Sequence, residues 1–280
     1  MSAFDISAHQ HQVEIHGKNL SYLDVGSGPV LLLGHSYLWD KMMWAPQIEV
    51  LSQHYRCIAP DLWAHGDSDN PPATCRNLLD IASDMLTLMD RLDIQQFHVI
   101  GLSVGAMWGA ELVLKAPSRV NSLVMLDSFI GYEPEVTRAK YLGMLATIKQ
   151  ARHIPTSLVD MIAPLFFAKE TASVNPSLFE GFKHHLTHIP TERIDSIVEL
   201  GHLILGRRDT LEYVERFTLP CLIMVGLEDT VRTVLESYLM HDAITASQLV
   251  HIPGAGHIAT LEQPDFINQQ LIRFLDNHAN

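Results

Sequence analysis

A chain of 280 residues, 47% of them hydrophobic, has the apolar material for one sizeable domain with room for an inserted subdomain. Its 32 Asp and Glu against 19 Lys and Arg give a formal net charge of -13 with no local basic run, which excludes nucleic-acid backbones and anionic membrane surfaces as partners. Cys57, Cys75 and Cys221 lie far apart without C-x-x-C spacing and read as reduced thiols; residues 1–12 are polar, no uncharged stretch is long enough to span a bilayer, and a cytoplasmic protein is expected.

Val13-Glu14-Ile15 and Leu20-Ser21-Tyr22-Leu23 alternate apolar and polar around Gly17-Lys18, the pattern of two half-exposed strands joined by a turn. Gly26-Ser27-Gly28-Pro29 breaks the chain ahead of Val30-Leu31-Leu32-Leu33, an unbroken apolar run suited to a fully buried parallel strand. Arg56-Cys57-Ile58-Ala59-Pro60 is a second such run. Across residues 77–92, Leu78, Ile81, Ala82, Met85, Leu88, Met89 and Leu92 recur at spacings of three and four, which predicts an amphipathic helix. Phe97-His98-Val99-Ile100 reads as the next buried strand, with a helix behind it over residues 106–115. A further strand, Val120-Asn121-Ser122-Leu123-Val124-Met125-Leu126, ends at Asp127.

From Ser128 to Leu219 the strand signals cease, and Met, Leu, Ile and Phe recur in helical patterns broken at Pro155, Pro164, Pro176 and Pro190. Pro220-Cys221-Leu222-Ile223-Met224-Val225 and Gln248-Leu249-Val250-His251-Ile252 resume the strand pattern, and residues 264–277 form a closing amphipathic helix. Alternating strands and helices at both ends imply an α/β class protein: a mostly parallel, doubly wound sheet covered on both faces. The expected division is a core over residues 1–130 and 218–280, with a helical cap, 131–217, inserted between. The sequence has no internal repeat and no low-complexity tract.

The joint after the Phe97 strand reads Gly101-Leu102-Ser103-Val104-Gly105. A serine that attacks a carbonyl must stand clear of its own backbone, and a tight strand-to-helix turn between glycines achieves that. The alternative for Ser103 is an ordinary helix-capping serine. A serine hydroxyl also needs a base and a carboxylate to orient that base. Gly226-Leu227-Glu228-Asp229 follows one buried strand, and Pro253-Gly254-Ala255-Gly256-His257 follows the last. Both loops fall at the carboxyl edge of the sheet, where ligands bind in open parallel sheets.

With these motifs in that order, the chain resembles the cap-bearing α/β-hydrolases, in the branch of small serine esterases, perhydrolases and epoxide-hydrolase-like proteins. The likeness spans nearly the whole length: Gly26-Ser27-Gly28-Pro29, Pro60-Asp61-Leu62 with His65-Gly66-Asp67-Ser68, the Ser103 elbow, the Asp229 loop, and Gly256-His257 followed by Glu262-x-Pro264. The resemblance implies the α/β-hydrolase fold, with Ser103 as nucleophile, His257 as base and Asp229 as orienting acid. Asp127 is the rival acid, at the end of an earlier strand. The implied oxyanion hole uses the backbone N–H of Val104 and a second from the loop after Leu33. Relatives carry His-Gly there; this chain has Gly34-His35, which puts Ser36 at the donor position, with Tyr37 the alternative. Ala64 stands where many relatives have glycine.

Other residues have weaker claims. His35 either contacts substrate or braces the oxyanion loop, and Tyr37, Trp39 and Phe166 are candidate pocket residues. His184 and His188 have the i, i+4 spacing of metal ligands, but no Glu follows His184 and no third ligand is apparent, so no metal or cofactor is expected. Ser103 in place of Asp argues against dehalogenase and epoxide-hydrolase chemistry. The expected activity is hydrolysis of a small carboxylic ester or lactone by a monomer or homodimer. Carbon–carbon bond hydrolysis, acyl-homoserine lactone hydrolysis, perhydrolysis and a small-molecule receptor remain open on the same constellation. Arg138, Arg152, Arg193, Arg207 and Arg208 are candidate clamps for a substrate carboxylate. Two apolar stretches, residues 158–167 and 200–205, are candidates for the pocket wall.

Overall fold

The computed structural model describes residues 5–278, so the extreme ends of the expected core, residues 1–4 and 279–280, lie outside the described residues. Among the described residues, eight strands form one sheet: β1 (Gln10–Ile15), β2 (Lys18–Gly26), β3 (Val30–Gly34), β4 (Arg56–Pro60), β5 (Phe97–Leu102), β6 (Val120–Leu126), β7 (Cys221–Gly226) and β8 (Ser247–Ile252). Their spatial order is β1-β2-β4-β3-β5-β6-β7-β8. β1 and β2 pair antiparallel, β2 pairs antiparallel with β4, and every pairing from β4 to β8 is parallel. The hairpin turn lies at His16 and Gly17, both at positive φ (51° and 72°), one residue earlier than Gly17-Lys18. Positive φ at both central positions suits the right-handed twist of the flanking strands.

The described residues include eleven α-helices: α1 (Ala45–Leu51), α2 (Leu78–Arg91), α3 (Val104–Lys115), α4 (Glu135–Ala151), α5 (Thr156–Ile162), α6 (Thr171–Val174), α7 (Pro176–Thr187), α8 (Ile194–Leu205), α9 (Val234–Ala243), α10 (Ala259–Glu262) and α11 (Pro264–Asp276). The continuous apolar runs of the parallel strands are explained by burial on both faces. Leu31 and Leu33 join a cluster with α1 and α11, while Leu32 points the other way, into a cluster with α2 and α3. The α2 helix starts where its sequence provides a cap: the Asn77 side chain accepts the Asp80 N–H at 3.0 Å. Between β6 and β7 lie helices α4 to α8 and short 3-10 turns, with no strand. No helix among the described residues is long and apolar enough to cross a membrane.

Candidate active site

Ser103 stands at the β5–α3 joint with φ 54° and ψ -116°, a conformation unfavourable to any residue with a Cβ. Its surroundings hold it there: the Ser103 N–H donates to Leu126 O at 2.9 Å, and the Ser128 hydroxyl donates to Ser103 O at 2.8 Å. The flanking glycines are sterically required. A Cβ on Gly105 would run into the Gly34 backbone, and one on Gly101 would run into the Gly105–Ala106 backbone. The chain thus brings the end of β3 directly against the start of α3. Ser103 is 8% exposed.

Asp229 follows β7, and its two oxygens are assigned separately. Oδ1 accepts the amides of Val231 at 2.7 Å and Arg232 at 2.9 Å, while Oδ2 lies 2.8 Å from His257 Nδ1. Nδ1 being taken, Nε2 is the ring nitrogen left for proton transfer. Glu262 steadies the His257 loop, accepting from the Gly256 amide at 2.7 Å and the Ala168 amide at 2.8 Å. The rival acid, Asp127, has a different partner: its Oδ1 accepts the Gly226 amide at 2.7 Å. Burial, and then the charge of nearby Asp229, push the Asp127 carboxyl well above the ordinary carboxylate range.

The loop after β3 is braced by two neutral histidines. His35 Nε2 accepts the Leu62 amide at 2.8 Å, so its proton sits on Nδ1 and is donated to Ser36 O at 2.7 Å. His65 Nε2 likewise accepts the Leu38 amide at 3.1 Å while Nδ1 faces Trp63 O at 2.9 Å. Burial lowers the pKa of both, that of His65 to about 3. Lys41 adds an ionic tie, with Nζ 2.6 Å from Asp61 and 2.7 Å from Asp67. In this loop the Ser36 amide points at Met43 Sδ, 3.4 Å away. The N–H groups of Tyr37 and Val104 have no acceptor among the described residues.

A cavity of about 120 Å³ opens beside the serine, lined by Ser103, His257, Ser36, Tyr37 and Phe166 and, from the helical segment, by side chains such as Leu145, Ile148, Ile162, Leu165 and Ile204. Phe166 meets the His257 ring edge-on, centroids 5.5 Å apart. His35 and Trp39 are not among the lining residues. His35 is a brace, and Trp39 stacks on Phe182 with ring planes 4° apart and centroids at 4.4 Å. The five arginines singled out between β6 and β7 do not line the cavity either. Arg193 donates to the carbonyls of Ala64 and Gly66, Arg207 and Arg208 pair with Glu133 and Glu111, Arg152 pairs with Asp195, and Arg138 is exposed. The arginine that does line it is Arg232, which sequence reasoning missed; its only signal was its place three residues after Asp229. His184 and His188 stack ring on ring, centroids 3.8 Å apart, and no third His, Cys, Asp or Glu completes a metal site around them among the described residues.

Comparison with known proteins agrees with this architecture. A family model described as alpha/beta hydrolase fold matches residues 29–264. The chain is 26% identical over 251 residues to 3-oxoadipate enol-lactonase 2 of Acinetobacter baylyi, covering 89% of this chain and 90% of that protein. It is 24% identical over 261 residues to the carboxylesterase YbfK of Bacillus subtilis, covering 88% of this chain and 80% of that one. Among solved structures, a thermophilic esterase from Thermogutta terrifontis superimposes with a TM-score of 0.86 at 24% identity, covering 96% of this chain and 99% of the other.

Proposed function

The chain belongs to the alpha/beta hydrolase fold family, and on that premise we propose that it is a serine hydrolase cleaving a small carboxylic ester or lactone through an acyl-enzyme. The observation that carries this reading is the Asp229–His257 contact at 2.8 Å, opening onto the same cavity as Ser103. In this mechanism Ser103 Oγ adds to the substrate carbonyl carbon while its proton passes to His257 Nε2. Asp229 holds the ring in the required tautomer and stabilises the imidazolium. The oxyanion is received by the Val104 and Tyr37 amides. Tyr37 is preferred over Ser36 because the Ser36 N–H is directed at Met43 Sδ. As the C–O bond breaks, His257 returns the proton to the leaving oxygen; in a lactone that alcohol stays tethered to the acyl group. Water then gives a proton to His257 and its oxygen to the acyl carbon, and Ser103 departs with the proton.

We assign residues 131–217 to a cap and the rest to the hydrolase core. The similarity to an enol-lactonase and a carboxylesterase supports ester and lactone substrates. The cavity, about 120 Å³, supports a small acyl group. Labelling with an organophosphonate tests the mechanism. One adduct per chain, on Ser103, is expected, and Ser103→Ala should lower kcat by about 10⁶-fold, as loss of such a nucleophile does elsewhere. An adduct on another residue, or full activity in Ser103→Ala, removes the mechanism.

A further inference from the structure

The wall of the Ser103 cavity is mainly aliphatic and aromatic, but Arg232 interrupts it. Arg232 is 4% exposed, and a guanidinium so far from water needs partners. Its terminal nitrogens have them: Nη1 and Nη2 lie 3.1 Å and 2.6 Å from the two oxygens of Glu133. Glu133 also receives Arg207 Nη1 at 2.8 Å. One carboxylate thus serves two guanidiniums, and acceptors run short. Arg232 Nε, Arg207 Nε and Arg207 Nη2 are buried with no hydrogen-bond partner among the described residues. Glu236 does not make up the shortage. One of its oxygens is 3.7 Å from Arg232 Nη1, and the other accepts the Thr233 amide at 2.7 Å to cap α9.

A buried donor without an acceptor is costly, and more so on a charged group. Of these three nitrogens, only Arg232 Nε belongs to a residue that lines the substrate cavity. Its position is also well fixed. Glu133 lies between β6 and α4, Arg207 follows α8, and the Arg232 amide is itself bonded to Asp229 Oδ1 at 2.9 Å. The residue whose backbone amide bonds Asp229 therefore also lines the cavity beside Ser103.

We propose that Arg232 is a specificity determinant whose Nε–H donates to a second oxygen of the substrate, a carbonyl or carboxylate oxygen on the acyl part, remote from the carbon that Ser103 attacks. This rests on the reading of Ser103 as an acyl-transfer nucleophile. A plain alkyl chain would satisfy Leu145, Ile148 and Ile162 but leave the Arg232 donor unpaired; an oxygenated chain satisfies both.

Three p-nitrophenyl esters of similar length test this: the pentanoate, the 4-oxopentanoate and the half-ester of glutaric acid. With the wild-type protein, kcat/KM for one or both oxygenated esters should exceed that for the pentanoate about tenfold or more; the better of the two identifies the acceptor as ketone or carboxylate. In Arg232→Met the ratio, taken within the one protein, should fall to near one whatever happens to the absolute rates. Glu133 keeps Arg207 as a partner in that variant. A wild-type ratio of one or less, with the pentanoate turned over, overturns the inference and leaves the hydrolase reading intact. So does a tenfold ratio that survives in Arg232→Met. If no ester is turned over, the hydrolase reading fails separately and the inference is judged on binding. Heat stabilisation of the wild-type protein by 4-oxopentanoate or glutarate beyond that by pentanoate supports it, and equal shifts overturn it. That same wild-type comparison decides the matter if Arg232→Met does not fold.

Discussion

At the carboxyl ends of β5, β7 and β8, the side chains assigned to chemistry are located by backbone hydrogen bonds. The Asp229 carboxylate rests on two amides, the Ser103 amide rests on Leu126 O, and the histidines bracing the loop after β3 each accept an amide. The helical segment from α4 to α8 meets that edge mainly through side chains. The Trp39–Phe182 stack, the Tyr37 hydroxyl on Ile197 O at 2.7 Å, and Arg193 on the carbonyls of Ala64 and Gly66 join the two regions. Backbone anchoring survives many sequence changes, whereas a side-chain seam is rewritten by one. On the proposed mechanism, the sheet edge keeps the reacting groups fixed and the helical segment lets the occupant of the cavity vary.

The strongest attack on that comparison is at the acid. Asp229→Asn is expected to lower kcat by about 10⁴-fold, because the amide favours the wrong imidazole tautomer. Asp127→Asn should lower it less than about tenfold, since Asp127 bonds the Gly226 amide and not the histidine. Steady-state kinetics on both variants decide, and the reverse ranking would transfer the orienting role to Asp127. Stability provides a second readout. A carboxyl raised in the folded state favours folding while it is protonated, and weakens the fold as pH climbs past the unfolded value near 3.8. Asn imitates the neutral carboxyl. The melting temperature of Asp127→Asn relative to wild type should therefore be higher at pH 8 than at pH 5. A difference that shrinks with rising pH would mean that Asp127 is ionised in the fold.

The seam between the regions predicts a smaller effect of a different kind. Phe182 on α7 is 3% exposed and meets Trp39, Phe166 and Phe167, with centroids at 4.4, 4.8 and 5.8 Å. Phe182→Ala should cost about 3–5 kcal/mol in urea unfolding. Turnover of an acetate ester should fall only modestly, while the preference between short and longer acyl chains flattens. A loss of kcat comparable to that of Asp229→Asn would show that the helical segment takes part in the chemistry, and would dissolve the distinction.

How much of this was legible in the sequence follows the same division. The parallel strands were readable because burial on both faces leaves unbroken apolar runs, and α2 because its buried face repeats at three and four. The turns that place Ser103, Asp229 and His257 just after β5, β7 and β8 were readable because sharp turns at strand ends leave glycines and prolines behind. The α9 helix was not recognised: Leu235, Tyr238 and Leu239 are exposed and blur the apolar pattern, although Thr233 and Glu236 carry a capping box. Arg232 could not have been found from its neighbours, since the partner that holds it, Glu133, lies 99 residues away. The choice between Ser36 and Tyr37 turns on where two adjacent amides point, which side-chain pattern does not encode.

Ala64 offers the finest test of how rigidly the sheet edge is held. It sits at φ 62° in the loop beside His65, is 2% exposed, and its amide donates to Asp69 O at 2.8 Å. A left-handed residue with a Cβ carries a strain of about 1–2 kcal/mol that glycine would relieve. Against this, glycine gives the unfolded chain more freedom, about 0.5–1 kcal/mol, and removing the buried methyl forfeits about 0.8 kcal/mol. These contributions nearly cancel, so Ala64→Gly should leave the unfolding free energy within about 1 kcal/mol of wild type. Turnover should stay within about twofold, because His65 remains tied to the Leu38 amide and Arg193 holds residue 64 through its backbone carbonyl, which glycine keeps. A stabilisation well beyond that range would mean that the Ala64 turn stores strain the rest of the loop has to hold. A drop in kcat without a drop in stability would mean that the Ala64 methyl helps set the oxyanion loop, and the backbone tie through His65 would not be enough to position it.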